Sequence, residues 1–192
     1  MNREEQLRKI AKEYLKKRFI ESRELITKEC EMHMEEAFQN YMDAMTSGLL
    51  CCAKAGKTVK YIVISILESS NLTKSYELQI AFFTEKMYSD EFPIYVYWKP
   101  MFIFSKVEED MLMFKKKAAE KIVRIKEYEL DAIRKEYLLN HYYQVLLFLR
   151  QIMPDAIEYG CDHHNCIAQD VTVLLGRYME RAMLVYQLGE MI

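Results

Sequence analysis

The chain has 192 residues, 51% hydrophobic and 29% charged, with five glycines and three prolines, a composition that excludes a low-complexity or disordered chain and favours helix. It is long enough to bury a core, and residues 1–192 are expected to form a single α+β domain. Net charge is only −2, but its distribution is uneven, and no stretch reaches the roughly 18 uncharged apolar residues that a membrane-spanning helix needs.

The first element is a helix. An apolar stripe runs Leu7, Ala11, Leu15, Phe19, then Ile26, Cys30, His33, Ala37, Tyr41 and Ala44, with no proline or glycine before Gly48. Its one weak point is Ser22, where the stripe skips a turn and a break is expected if the helix has one. Residues 1–28 carry nine basic and five acidic side chains, whereas residues 29–53 carry five acidic and no basic ones. The basic end matches an acidic partner, a nucleic-acid backbone or the acidic segment of an antiparallel second copy; a solvated helix face is the plainer reading. Met1 to Lys17 alternates charges with single apolar residues, so neither a signal peptide nor an anchor is expected.

After the helical region 1–53, the period changes. Thr58 to Glu68 is a β-branched run with apolar residues on both faces, the pattern of a central strand covered on both sides. Ser70 to Lys74 reads as a turn, and Tyr76, Leu78, Ile80 and Phe82 alternate with Glu77, Gln79 and Ala81 as the hairpin partner. Ile94 to Trp98 makes a third strand, ended by Lys99-Pro100. Together these predict a three-stranded antiparallel sheet within 58–104.

Residues 105–190 are predicted helical. From Phe104 to Met153 there is no proline or glycine, and every seventh residue from Met111 is apolar: Ala118, Ile125, Ala132, Leu139, Leu146 and Met153 follow. A helix of about 48 residues is roughly 70 Å long, against a diameter of about 42 Å for a compact domain of this size. It must therefore break, with Asn140-His141 the weakest helix formers, or be covered by a second copy; homodimerisation is expected. A C-terminal helix is predicted on the stripe Ile167, Val171, Leu174, Tyr178, Ala182, Val185 and Leu188, with Gly176 marking close backbone packing.

No catalytic residue and no cofactor-binding residue can be assigned. Gly56-Lys57-Thr58 ends like a phosphate-binding loop but lacks the earlier glycine, and it stands where a helix ends and a strand begins, the reverse of the order that chemistry needs. Cys161, His163, His164 and Cys166 form the densest cluster of zinc-type ligands, with Cys30 and His33 as completing ligands if the first helix packs beside them. The plainer reading makes Asp162 or Asn165 a helix cap and the cysteines small core residues. A thiol nucleophile with a neighbouring histidine base is the weaker form of the same idea. Lys115, Lys116, Lys117, Lys121 and Arg124 form a basic band, the basis of an alternative nucleic-acid-binding reading. Tyr95 and Tyr97 share one face of the third strand and are candidate partner-binding residues. The five cysteines, an odd number, fit reduced thiols in the cytoplasm. The resulting expectation is a non-catalytic cytoplasmic protein of regulatory, adaptor or inhibitor type, acting through protein contacts and off the membrane.

Overall fold

The structure, a computed structural model, describes residues 2–177 and 180–189, the side chain of Cys30 aside. It is α+β, as expected, and the chain divides into two compact units: Met1–Met34 with Met101–Val145, and Glu35–Pro100 with Leu146–Ile192. No described helix is long and apolar enough to cross a membrane.

The first unit is helical. Its opening helix α1, Arg3–Met32, starts in a capping box in which the Asn2 side chain accepts from the Glu5 N–H (2.8 Å) and Glu5 accepts from the Asn2 N–H (2.9 Å). It runs unbroken through Ser22, which is buried and donates to Asp110, and ends instead at His33. Beyond α2 (Met34–Lys54) and α3 (Glu68–Thr73) in the other unit, the helical unit resumes with α4 (Met101–Phe104), α5 (Val107–Ala119) and the first part of α6 (Glu127–His163).

The predicted long helix therefore does break, but at 120–126 rather than at Asn140. Ile122, Val123 and Ile125 are β-branched and lose side-chain freedom in a helix. Arg124 adopts φ +56°, its carbonyl accepts from Arg3 (2.7 Å), and Glu129 accepts from the Lys126 N–H (2.8 Å) to open α6. Along the series of sevens Met111 and Ala118 are buried, Ala132 and Leu139 exposed, and Leu146 and Met153 buried again, so a strict count of seven does not follow one face. Asn140-His141 stays helical because packing overrides propensity: His141 is buried, in ring contact with Phe19, Phe104 and Tyr137. Pro154 also lies inside α6, next to the buried Met153, Ala156 and Ile157, whose burial offsets the missing hydrogen bond.

The second unit carries the sheet. Its strands are β1 (Val59–Ile66), β2 (Leu78–Phe83), β3 (Ile94–Trp98), β4 (Ile167–Arg177) and β5 (Ala182–Gln187), in the order β3-β2-β1-β4-β5. Only β1 and β4 run parallel; the other neighbours are antiparallel. The predicted C-terminal helix is thus a correction: it is a two-stranded addition, and the sheet has five strands rather than three. Val171, Val173 and Leu175 are fully buried at a spacing of two, a signal that the wider spacing of apolar residues at every third or fourth position had masked. Gly176 does mark a close approach: a Cβ there would lie 2.8 Å from the Ala182 Cα on the neighbouring strand. Tyr178, assigned to that stripe, falls outside the described residues.

Register fixes the two faces of the sheet. Ile62, Ile64, Ile66, Leu78, Ile80 and Phe82 share the inner face with Trp98, Val173 and Leu175. Helix α2 and the later part of α6 cover it: Tyr41 meets Trp98 edge-on (5.2 Å between centroids), and Phe148 stacks on Trp98 (5.9 Å). The other face bears Tyr61, Val63, Ala81, Phe83, Leu174, Tyr95 and Tyr97, and Met87 and Tyr88 pack against its Val63, Ala81 and Phe83.

Candidate interaction face

Two features of the β2–β3 connection build this outer face. The chain between the strands makes one 3-10 turn at Met87–Ser89, and Asp90 then pins it: the Thr84 N–H donates to one carboxylate oxygen (2.6 Å) and the Thr84 hydroxyl to the other (2.7 Å). Burial pushes the Asp90 carboxyl up, but these two bonds, with Lys57 and Lys86 nearby, outweigh it and hold the carboxyl below the ordinary aspartate range. The pinned turn lays Met87 and Tyr88 over Val63, Ala81 and Phe83, with the Tyr88 ring 5.3 Å from that of Phe83. With Ser65 buried on the same face as well, what stays exposed there is the β3 side.

Alongside it lies β3. Its burial alternates as its sequence predicts, Trp98 buried and Tyr95 and Tyr97 exposed at 40% and 57%. The Tyr95 ring leans on Phe83 (6.5 Å), and the Gln79 amide donates to the Tyr97 hydroxyl at 3.5 Å. Phe92, at the entrance to the strand, is 76% exposed, and its carbonyl accepts from the Lys57 ammonium. The Gly56-Lys57-Thr58 segment is thus the helix-to-strand turn that was expected, with Gly56 in the left-handed region at φ +65°. A cleft of about 440 Å³ opens beside it, but its charges are mixed: Lys60 is paired with Asp170 (2.8 Å), and Glu85 shares the lining.

The residues chosen as zinc ligands are spread differently from what a metal needs. His163 ends α6 exposed, stacked on Tyr159 (4.0 Å) with Nδ1 against the Tyr159 carbonyl (2.9 Å). Cys166 is buried and its thiol points at the Leu49 carbonyl (3.5 Å); Cys161 is half-buried. Burial raises both thiols, the opposite of what a thiolate ligand or nucleophile requires. His33 is exposed at the end of α1, and the side chain of Cys30 lies outside the described residues. Among the described residues, no three His, Cys, Asp or Glu side chains gather as a metal site does.

The basic band is also dispersed. Lys115, Lys116 and Lys117 end α5, whereas Lys121 and Arg124 belong to the irregular link after it. Lys115 is paired with Glu127 (2.8 Å) and Lys117 with Glu120 (3.0 Å).

Sequence reasoning missed a buried polar cluster in the helical unit. Asp110, fully buried, accepts from the Tyr137 hydroxyl (2.6 Å), the Arg18 guanidinium (2.7 Å) and the Ser22 hydroxyl (3.2 Å). Burial first, and then the Asp110 hydrogen bond, push the Tyr137 phenol up, so it stays a donor. Nothing in the local pattern around Asp110 distinguishes it from Glu108 and Glu109; only the fold selects it. This bonded carboxylate ties α1, α5 and α6 together, and its partner Tyr137 also lines an open cleft of about 530 Å³ between α1 and α6. The chain matches no protein-family model, no curated protein and no solved structure.

Proposed function

We propose that the protein is a non-catalytic, cytoplasmic regulatory, adaptor or inhibitor protein that acts by protein contact through the outer sheet face and strand β3. The observation that carries this reading is the pair Tyr95 and Tyr97, half exposed on an edge strand beside the buried Val63, Ala81 and Phe83. Tyrosine supplies large contact area at low entropy cost and keeps a hydroxyl for orientation. The thiols support the compartment: Cys51, Cys52, Cys161 and Cys166 are unbridged.

The test is a photo-reactive side chain placed at Tyr97 in cells, with Lys16 on α1 as the control position. The reading expects a covalent adduct with a protein from position 97 and none of the same mass from position 16. Irradiation that yields no protein adduct at position 97, or adducts to nucleic acid instead, contradicts it.

A further inference from the structure

The two free edges of the sheet differ. On β5 the Arg150 guanidinium donates to the Leu184 carbonyl (2.9 Å), so a side chain already occupies part of that edge. On β3, among the described residues, no strand pairs on the side away from β2. An edge strand presents a row of N–H and C=O groups, which proteins usually blunt with a charge or proline inside the strand. Here Pro93 and Pro100 stand outside, and Ile94-Tyr95-Val96-Tyr97-Trp98 contains neither.

The five residues are also nearly symmetric about Val96. In an antiparallel self-pairing centred there, Tyr95 stands opposite Tyr97 of the second copy, Val96 opposite its own counterpart and Ile94 opposite Trp98. Directly opposed residues lie on one face, so the tyrosines of both copies join a single outer surface. Past the two strand ends, the same two-fold brings Lys99 toward the end of the second copy that carries Pro93 and Glu91, so opposite charges meet there. Lys99 and Glu91 are both exposed, and among the described residues neither is in an ion pair.

We infer that the occupant of the β3 edge is a second copy of this chain, paired antiparallel about Val96 into one continuous sheet; this rests on the reading that β3 belongs to the contact surface. Its strength follows from area. An aromatic side chain offers about 150–250 Å², and at the exposures of Phe92, Tyr95 and Tyr97 these side chains leave roughly 350 Å² per copy to hide. The pair total, about 700 Å², falls below the ~1,200 Å² of a standard interface. The dimer is therefore weak and reversible, and a concentration series locates its midpoint.

Sedimentation velocity over a concentration series tests this with three proteins: wild type, Tyr95→Lys/Tyr97→Lys and Tyr95→Glu/Tyr97→Glu, with Trp98 fluorescence confirming that each is folded. Wild type is expected to pass from monomer to dimer, each variant to remain monomeric because like charges oppose, and an equimolar mixture of the two variants to regain the dimer. A wild type that stays monomeric throughout, a lysine variant that dimerises like wild type, or a mixture that fails to pair overturns the inference. A monomeric wild type whose position 97 still cross-links to a different protein removes the second copy and leaves the contact reading standing; a monomer with no adduct removes both.

Discussion

His141 shows how a single side chain sets the pH range of the helical unit. Its ring is fully buried in contact with Phe19, Phe104 and Tyr137, and Nε2 meets no hydrogen-bond partner among the described residues. Burial lowers its pKa to about 4, against the opposing pull of the Tyr137 carbonyl and the Asp110 carboxylate. Because the folded value lies below the unfolded one of about 6.5, the unfolded chain binds the extra proton between those limits. Stability is then complete above about pH 6.5 and is lost as pH falls toward 4, by about 3 kcal/mol in all. Urea unfolding followed at pH 7.5 and 4.5 should show most of that loss in wild type and much less in His141→Phe, which keeps a ring in the same space. Parallel losses in the two proteins contradict the assignment.

At the scale of elements, the packing of α2 on the sheet turns on one atom's width. A Cβ on Gly48 would lie 2.1 Å from the buried Phe82 ring, so the helix sits where only glycine lets it. Gly48→Ala is expected to destabilise by about 1–3 kcal/mol through overpacking, read from the thermal or urea midpoint; a neutral or stabilising result would show that α2 stands further off. Glycine is a weak helix former, yet Gly48 lies inside α2, where it allows the close approach. The strands β2 and β3 were legible from a period of two, and β1 from a short β-branched run apolar on both faces. β4 and β5 were not: the same apolar residues satisfy a helical stripe, and what decides is a parallel partner, β1, about a hundred residues earlier in the chain. Similarly, the weak helix formers at Asn140-His141 misled because the burial of His141 is tertiary, while the β-branched run at 122–125 supplied a local reason to stop that a strict seven-residue count passed over.

On the scale of the whole molecule, the chain offers two differently finished parts. The helical unit closes its polar centre on Asp110, with three donors to one carboxylate, and the sheet unit finishes one face with helices and leaves the other partly open. The tyrosines of that open face were legible from alternation alone, whereas the aspartate clamp that shapes it depends on a contact between Thr84 and Asp90 across an irregular loop that no period describes. If contact through β3 is what the protein does, the backbone of that strand must change its access to water when the protein is engaged. Amide hydrogen exchange over Ile94–Trp98, compared between dilute protein and protein in its bound state, therefore tests the central claim most directly. Slowed exchange at the outward-facing amides of β3, with β5 unchanged, is expected; binding that leaves β3 exchange as fast as in the dilute protein rules out contact through this strand.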